Sequence, residues 1–551
     1  MNKLDHNYLA ELLYPHIKTT PEDMEQKYPA RDLPEGARVM RIAPSPTGYL
    51  HIGALYQAMA NERSAHLSGG KFYFRIEDTD SKREVQGAAE LFITMFGKYG
   101  IQFDEGAVID GDNGNYGPYR QSQRTEIYQT FAKKLVQDGR AYPCFCTDEE
   151  LEAIHKQQEE EGANPGYYGK YAKWRDASIE DIEAALKEGK PYVIRLKSLG
   201  DASRHVKVTD AIKGELEFPQ NEQDFVILKS NGTPPYHFAH AVDDHLMHTT
   251  HVMRGEEWLA TLPWHVELFD ALGFKRPVYC HTATLMKLDG GSKRKISKRK
   301  DPEADLAFYI KEGYPKDGLL EYVMTLLNSN FEDWRRANPT ASMNDFQFSF
   351  KKMSVSGALF DIQKLYDVCK DVIFRMTAEE VYENVTAWAK DNDPEFYELL
   401  VADKAYAVEI LGIGRGGKKP RKDFGLWSEV KDYMGFFYDA LFSGKGDYPE
   451  NLDKTEIKKI LEKYLDIFDE NDEQNVWFDR LKALADSEGY ASDMKAYKQD
   501  PSAFKGSVAD IAMMLRVAVT GKQVSPDTYC VMKILGKERV LSRISSAAAE
   551  L

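Results

Sequence analysis

The architecture of the chain follows most clearly from residues 39–53, which read V-M-R-I-A-P-S-P-T-G-Y-L-H-I-G. The apolar-rich residues 39–43 predict a buried strand that ends at the proline- and glycine-rich loop 44–48. Apolar residues then recur at helical spacing from Ile52 to Leu67, and residues 72–76 predict a second strand. The sequence therefore predicts a βαβ unit with a right-handed crossover, in a protein of α/β class.

The loop between this first strand and its helix is suited to phosphate. A helix N-terminus offers free backbone N–H groups and the positive end of the helix dipole. His51 stands at this point, where a donor could stabilise charge on a phosphate, and Gly53 would allow close approach of a nucleotide. The alternative is a capping loop with an incidental histidine, because short motif matches are often accidental.

A second segment with chemical potential is Lys295-Ile296-Ser297-Lys298-Arg299, which follows Gly290-Gly291 and precedes Asp301-Pro302. Glycines predict a mobile loop, and lysines supply point charges that can follow a triphosphate during reaction. A basic loop that contacts nothing is the alternative interpretation.

The composition bounds the class of protein. With 551 residues the chain should form three to five domains, and no apolar run is long enough to span a membrane. No secretory signal is visible, and five cysteines are too few for a disulfide framework, so we expect a cytoplasmic protein. The net charge of −16 disfavours nucleic acid as a partner, but cations cluster at 293–300 and 415–422.

The pattern of predicted elements changes along the chain. The α/β character is interrupted by a segment with a polar helix near 149–162 and short strands at 192–196 and 224–228, and nearly every pattern beyond about residue 357 is helical. We divide the chain into an N-terminal extension (1–36), the first half of a Rossmann-type α/β domain (37–142), an inserted α+β domain (143–235), the second half of the Rossmann-type domain (236–330), a connecting region (331–375) and an all-α C-terminal region (376–551).

The histidine loop and the lysine loop occur in an order and at a separation that resemble the class I aminoacyl-tRNA synthetases. The signatures of that class are commonly written HIGH and KMSKS. The fourth position of the first signature is Ala54 in this chain, which leaves only His51 of the histidine pair. Within the class, the chain is similar to bacterial-type glutamyl-tRNA synthetases, which often lack the second histidine.

Further motifs carry this resemblance along nearly the whole chain after residue 36. They are Arg41 to Gly48, Arg75-Ile76-Glu77-Asp78-Thr79-Asp80, Tyr119-Arg120-Gln121-Ser122, Val242 to Met247, Arg254-Gly255-Glu256-Glu257-Trp258, Leu515 to Gly521 and Leu535 to Val540. Without the resemblance, the charges between Arg75 and Asp80 could equally form surface ion pairs.

The resemblance implies a role for individual residues. Arg41 and Arg254 would bind the carboxylates of glutamate, and Glu77 its ammonium group. The remaining glutamate-binding positions would be Ala43, Ser45, Tyr236 and His240, the last standing where many family members have asparagine. ATP would be bound by His51, Gly53, Glu257, Lys295, Ile296, Ser297, Lys298 and Arg299, with His51, Lys295 and Lys298 acting in catalysis.

The resemblance also implies substrates and partners. These are ATP with Mg²⁺, L-glutamate and tRNA for glutamate, with charging of tRNA for glutamine left open, in a monomer without membrane contact. The inserted domain would bind the acceptor end, residues 331–375 would contact the stem of the tRNA, and residues 376–551 would read the anticodon. Related enzymes can hold zinc with a Cys-x-Cys pair and two later ligands. Here Cys144 and Cys146 are followed by Tyr167, Tyr168, Tyr171 and Lys173 instead, so we expect no zinc and two buried thiols.

Two alternatives stay open at this point. A glutamine-specific ligase would usually differ in the loop before His51 and carry aspartate in place of Glu77. A non-catalytic paralogue that only binds tRNA would retain the fold, although both signature loops are largely complete here.

Overall fold

A computed structural model describes residues 5–80, 84–297, 299–416 and 421–551. The described chain forms two compact units. The first comprises Met1–Phe308 with Val323–Asp361, and the second comprises Tyr309–Tyr322 with Ile362–Leu551. In the part that is described, no helix has both the length and the apolar character needed to cross a membrane.

The strands are β1 (Val39–Ile42), β2 (Lys71–Phe74), β3 (Glu105–Val108), β4 (Gly111–Asn113), β5 (Ala141–Cys144), β6 (Val193–Leu196), β7 (His205–Asp210), β8 (Gly214–Pro219), β9 (Val226–Leu228), β10 (His251–Gly255), β11 (Val278–Thr282), β12 (Leu285–Asp289), β13 (Ser292–Lys295) and β14 (Ala358–Leu359). The helices of the first half are α1 (His6–Leu13), α2 (Pro21–Lys27), α3 (Ile52–Leu67), α4 (Ala88–Lys98), α5 (Thr125–Gln137), α6 (Asp148–Glu160), α7 (Ile179–Lys187), α8 (Tyr236–Leu246), α9 (Leu262–Leu272), α10 (Leu306–Glu312) and α11 (Lys316–Leu327). Those of the second half are α12 (Phe331–Ala337), α13 (Ile362–Arg375), α14 (Ala378–Asn392), α15 (Pro394–Ala402), α16 (Lys404–Gly412), α17 (Val430–Met434), α18 (Lys454–Ile467), α19 (Gln474–Glu488), α20 (Met494–Gln499), α21 (Val508–Thr520) and α22 (Thr528–Glu550).

The predicted βαβ unit is confirmed. Strands β1 and β2 run parallel, in a register that pairs Arg41 with Tyr73, and α3 connects them. All four residues of β1 are buried, which explains why its sequence is a continuous apolar run interrupted only by Arg41. The two halves of the Rossmann-type domain (37–142 and 236–330), called the catalytic region from here on, meet beside β1. There the Thr250 backbone N–H donates to the Val39 carbonyl at 3.0 Å.

The segment between the two catalytic halves contains a separate antiparallel sheet and a hairpin. Strands β5, β6 and β9 form the sheet, in that order. The hairpin β7–β8 instead joins β11 of the catalytic region, through the pairing of Asp210 with Tyr279. Two strands of the predicted insertion, β7 and β8, therefore extend a catalytic sheet, and all of these elements belong to the first unit.

The described part of the N-terminal extension is folded onto the catalytic region. Leu9, Leu13 and Ile17 are buried, and α1 packs against α5. Arg31 forms a two-pronged ion pair with Glu105, at 2.7 and 3.0 Å. The extension is therefore part of the first unit's core packing, which a reading of local pattern alone did not show.

The C-terminal region is helical, as predicted. Amphipathic helices such as α18, α19, α21 and α22 bury one face each around a shared apolar core that includes Leu461, Leu481 and Leu515. The helical pattern expected beyond about residue 357 begins only at Ile362, in α13, because residues 358–359 pair with β12 as the short strand β14. The predicted fold class of an α/β catalytic region followed by an all-α region is confirmed.

Candidate active site

A cavity of about 670 Å³ opens at the carboxyl ends of β1 and β10. Ligands bind in this position in open α/β folds. The sequence-predicted residues on its wall are Arg41, Ala43, Ser45, His51, Gly53, Glu77, Tyr236, Arg254, Glu257, Lys295, Ile296 and Ser297. His240 and Arg299 are not on the wall, and Lys298 lies outside the described residues.

Arg41 is held in place by a buried carboxylate on α8. Its Nε lies 3.2 Å from both carboxylate oxygens of Asp244, and its Nη1 donates to the Met253 carbonyl at 3.1 Å. Asp244 also accepts from Arg75 at 2.8 Å and is fully shielded from solvent. Burial would raise the pKa of Asp244, but Arg41 and Arg75 outweigh that effect and hold the pKa well below its usual range. The side chain of Arg41 therefore enters the cavity from a fixed anchor.

Glu77 stands on the cavity wall with unusual acid–base character. Its carboxylate accepts from Arg75 at 3.2 Å, and its side chain is only 10% exposed. Burial raises the pKa of Glu77 to about 7, against the opposing effect of Arg75 and Arg41. Arg75 itself is fully buried, so this part of the chain is not a set of surface ion pairs.

Three of the sequence motifs meet behind this wall. Ile76 forms an isolated bridge with Arg120, and the Gln121 amide donates to Asp243 at 2.8 Å. Asp78 accepts from both the backbone N–H and the hydroxyl of Ser122, each at 2.7 Å. The motifs at 75–80, 119–122 and 242–247 thus form one polar network, which is buried at Arg75, Gln121 and Asp243 and reaches the surface at Ser122, rather than separate sites.

Arg254, in β10, also lines the cavity and is surrounded by aromatic and imidazole groups. Its guanidinium donates to His281 at 3.0 Å, to the Tyr236 hydroxyl at 3.3 Å and to His265 at 3.0 Å. Among the residues that the structure describes, no carboxylate lies within 4.0 Å of this guanidinium. Burial lowers the pKa of His265 well below its usual value, so His265 stays neutral and adds no second positive charge beside Arg254. A buried cation of this kind suits an anionic ligand.

His240 lies behind the cavity rather than on it. Its ring stacks on Tyr236, with centroids 5.6 Å apart, and it contacts Asp244 and the Tyr279 hydroxyl. The side chain is fully buried, and burial lowers its pKa to about 3. His240 therefore packs against Tyr236, which lines the cavity, and does not itself line the cavity.

His51 caps α3 with its side chain. Its Nδ1 accepts from the Gly53 backbone N–H at 2.9 Å, which places the imidazole proton on Nε2. A Cβ atom at Gly53 would lie 3.0 Å from the same Nδ1. A larger residue at position 53 would therefore force the His51 ring to shift by a few tenths of an ångström.

Replacing Gly53 by alanine is expected to displace the His51 ring and remove its cap. We expect kcat for amino-acid activation to fall about tenfold or more, with a loss of about 1 kcal/mol in stability. Gly97→Ala is the matched control, since Gly97 lies in α4 with open space around its Cβ position, and alanine there should stabilise slightly. Equal kinetics for both variants would contradict this role of Gly53.

The lysine segment is anchored at its end by Asp301. This carboxylate accepts from Arg294 at 2.6 and 2.7 Å and from the Ser297 backbone N–H at 2.8 Å. Gly290 and Gly291 form the turn between β12 and β13, both with positive φ. Arg294, counted in the cationic cluster at 293–300, is thus paired internally, whereas Lys295 reaches the cavity wall.

Other expected features lie away from the cavity. Cys144 is buried and Cys146 is half-buried, so the expectation of two buried thiols is correct for Cys144 and wrong for Cys146. The Cys146 sulfur lies 3.5 Å from the Tyr167 hydroxyl. Of the cluster at 415–422, Arg415 donates to backbone carbonyls and Arg421 pairs with Asp423, while 417–420 lie outside the described residues.

Some residues that shape the site were not singled out as site residues in the sequence. Asp244, Asp243 and His265 are fully buried, and Asp210 and His281 support Arg254 from behind. The available signal was the pair Asp243-Asp244 beside the apolar residues Ala241, Val242 and Leu246, since buried carboxylates require paired cations.

Comparisons with known proteins agree with this geometry. Residues 38–367 match the family of class I tRNA synthetases (E and Q), catalytic domain, and residues 424–548 match an anticodon binding domain. A glutamate–tRNA ligase of Acetivibrio thermocellus is 50% identical over 98% of this chain and 99% of its own length. One from Clostridium perfringens is 48% identical over 98% and 100%.

A solved structure supports the same assignment. A glutamate tRNA ligase from Elizabethkingia meningosepticum, in complex with its amino acid, matches with a TM-score of 0.74 at 27% identity. The match covers 93% of this chain and 99% of that chain. The chain belongs to the glutamate–tRNA ligase family of the class I tRNA synthetases, enzymes that charge tRNA with glutamate.

Proposed function

We propose that this chain activates L-glutamate with ATP and transfers it to the 3′ end of tRNA for glutamate. The observation that carries the proposal is one cavity that brings together two buried arginines, a carboxylate, the histidine cap and the lysine strand. The names of the relatives and of the ligand-bound neighbour point to the same amino acid. The presence of His51 and Lys295 on the wall of this one cavity disfavours a non-catalytic paralogue that only binds tRNA.

Glutamate carries two carboxylates and one ammonium group, and the cavity offers a complement to each. Arg41 and Arg254 provide guanidinium groups, which bind carboxylates through paired hydrogen bonds. Glu77 provides the carboxylate for the ammonium group. Ala43, Ser45 and Tyr236 complete the wall around the amino acid. Glutamine would present a neutral amide to one of the arginines, which disfavours the glutamine-specific alternative.

ATP would occupy the side of the cavity near the start of α3. The Nε2–H of His51 and the N-terminal N–H groups of α3 suit the phosphates, and Lys295 to Ser297 border them. Lys298 and Arg299 stay predictions for the same role. The described carboxylates on the cavity wall are Glu77 and Glu257, so Mg²⁺ would be held chiefly by phosphate oxygens of ATP.

The reaction needs no protein nucleophile. The α-carboxylate of glutamate attacks the α-phosphate of ATP in line, giving glutamyl-adenylate and pyrophosphate. His51 and the lysine strand stabilise charge on the phosphates, and the arginines orient the amino acid. The terminal ribose hydroxyl of the tRNA then attacks the adenylate, releasing AMP.

The remaining parts of the chain are assigned to tRNA. Residues 143–235 would bind the acceptor end and residues 331–375 the stem, while the region from 376 to 551, which contains the matched anticodon binding domain, would read the anticodon. We also propose a cytoplasmic, monomeric enzyme that needs tRNA for the activation step. Whether tRNA for glutamine is a second substrate is left to the assay below.

The proposal is tested by ATP–pyrophosphate exchange and by aminoacylation. We expect exchange with glutamate in the presence of tRNA, and charging of purified tRNA for glutamate. Glutamine and tRNA for glutamine are run side by side as separate arms. Exchange with glutamine alone would favour the glutamine ligase, and no exchange under any condition would exclude the proposed activity.

The raised pKa of Glu77 leads to a pH prediction. Glu77 must be a carboxylate to accept the ammonium group of glutamate, and its pKa of about 7 means that it is increasingly protonated below that pH. The kcat/KM for glutamate should therefore fall about tenfold per unit as pH drops below 7 and level off above it. Free glutamate has no group that titrates between about pH 5.5 and 8.

The variant Glu77→Gln provides the comparison. It should show a lower kcat/KM that no longer changes with pH in this range, because the amide does not titrate. The kcat/KM for ATP of the unmodified enzyme serves as the internal reference. A pH profile in Glu77→Gln identical to that of the unmodified enzyme would assign the ionisation to another group.

A further inference from the structure

Arg254 is connected to the hairpin β7–β8 by a two-step hydrogen-bonded chain. Its Nε donates to His281 Nε2 at 3.0 Å. The other ring nitrogen of His281, Nδ1, lies 2.7 Å from the Asp210 carboxylate, which is the last residue of β7. All three side chains are buried, so each donor and acceptor depends on its neighbour.

The two hydrogen bonds that link Arg254, His281 and Asp210 have a defined direction. A guanidinium can only donate, so His281 Nε2 must be the acceptor and its ring proton must be on Nδ1. The Asp210 carboxylate accepts that proton and thereby fixes this tautomer. Burial lowers the pKa of His281, although the hydrogen bond to Asp210 acts in the opposite direction. The lowered pKa keeps the ring neutral.

Asp210 is itself firmly held. Its Oδ1 accepts from the backbone N–H groups of Ile212 at 2.9 Å and Lys213 at 2.8 Å. Its Oδ2 also accepts from the His281 backbone N–H at 3.0 Å. Burial would raise its pKa, but the hydrogen bond from the His281 side chain and those from the Lys213 and Ile212 backbone keep the pKa lowered, so the group is a carboxylate. Its position is therefore set by the turn of the hairpin.

We infer that Asp210 is a positioning residue for glutamate binding, which acts by fixing the His281 tautomer and so the orientation of the Arg254 guanidinium. The inference rests on the proposed function, because it concerns the binding of glutamate by Arg254. Asp210 touches no substrate in this account. It belongs to the segment between the catalytic halves, and the chain of contacts ties that segment to the amino-acid pocket.

The variant Asp210→Asn is expected to reverse the direction of the hydrogen bond between residue 210 and His281. The two backbone donors at Ile212 and Lys213 favour the amide carbonyl on their side, which turns the amide NH₂ toward His281. The ring must then accept at Nδ1 and carry its proton on Nε2, facing the donor Nε of Arg254. We expect KM for glutamate to rise about 10- to 100-fold, as loss of such supporting contacts typically does, with KM for ATP within about twofold.

Two changes at His281 complete the design. His281→Gln keeps an acceptor for Arg254 and a donor for Asp210, so KM for glutamate should stay within about fivefold of the unmodified enzyme. His281→Leu removes the hydrogen bonds of His281 with Arg254 and with the Asp210 carboxylate. Asp210 keeps its three backbone donors in that variant. Adding Asp210→Asn to His281→Leu should raise KM by no more than about twofold, because Asp210 then has nothing to act through.

The outcomes separate the possibilities. Exchange activity of the unmodified enzyme with glutamate is the first arm, and its absence would be a failure of the proposed function alone. An unchanged KM for glutamate in Asp210→Asn, an equal rise in KM for ATP, or full additivity with His281→Leu would overturn the inference. The exposed Asp201→Asn, in the same segment, is the control for charge and should change neither constant.

A measurement on the unmodified protein covers the case in which Asp210→Asn fails to fold. In ¹⁵N-histidine NMR, the signal that disappears in His281→Gln belongs to His281. We expect it to show a proton on Nδ1 and a lone pair on Nε2. The opposite tautomer would overturn the inference regardless of how the variants behave.

Discussion

The variant Arg254→Gln is expected to fold normally and to lose glutamate binding, with kcat/KM for glutamate lowered by about 10²- to 10³-fold. In the described part of the chain, Arg254 has no carboxylate partner, so its removal leaves no buried anion unpaired. Its contacts are the imidazoles of His281 and His265 and the hydroxyl of Tyr236, which glutamine can partly replace. The cost should therefore fall on the anionic substrate and not on the fold.

The measurement is steady-state exchange with glutamate and ATP varied separately, together with a thermal unfolding curve. Arg276→Gln is the matched control, since Arg276 is a half-exposed arginine of the catalytic region paired with Asp270, and it should leave both constants unchanged. A large loss of stability in Arg254→Gln would contradict the account, as would normal glutamate kinetics.

The variant Asp244→Asn is expected to have the opposite profile, with the fold itself weakened. Asp244 is the fully buried anion shared by Arg41 and Arg75, and it also accepts from Tyr73 and His240. Removing one partner of a buried ion pair costs about 3–5 kcal/mol, because the remaining charge is left uncompensated. Since the pKa of Asp244 is held well below its usual range in the folded state, its contribution to stability is complete above the unfolded-state pKa of about 4 and is lost progressively as pH falls from there through the folded-state pKa.

Urea unfolding followed by tryptophan fluorescence gives the comparison. Asp270→Asn removes an exposed carboxylate from an arginine pair and should change stability by less than about 1 kcal/mol. An Asp244→Asn variant as stable as Asp270→Asn would show that the buried network is not what holds Arg41 in place.

Local chemistry predicted the part of the site that is continuous in sequence. The strand, loop and helix from Val39 to Leu67 were predicted because apolar period, proline and glycine act over a few residues. The placement of His51 at the start of the helix follows from the same pattern. These features do not depend on any distant part of the chain.

Features that depend on distant partners were not predicted. Asp244 lies 203 residues from Arg41, and nothing in the local pattern around either residue indicates that they meet. The short strand at 358–359 exists only because β12 is beside it, and its residues by themselves extend a helical pattern. The packing of residues 5–36 against α5 likewise has no local signature.

His240 shows how a resemblance can place a residue in the right region without its contact. The position was assigned to the amino acid, whereas the side chain supports Tyr236 and Asp244 from behind the wall. At position 240 this chain thus has a histidine that contacts other protein side chains and does not line the cavity.

The most direct test of the account is a crystal structure with a non-hydrolysable glutamyl-adenylate analogue. The account predicts the glutamyl group in the 670 Å³ cavity, with carboxylate or acyl oxygens hydrogen-bonded to Arg254 and Arg41, the ammonium group at Glu77 and the phosphate near His51. An analogue bound elsewhere, or in this cavity with neither arginine in contact, would contradict it.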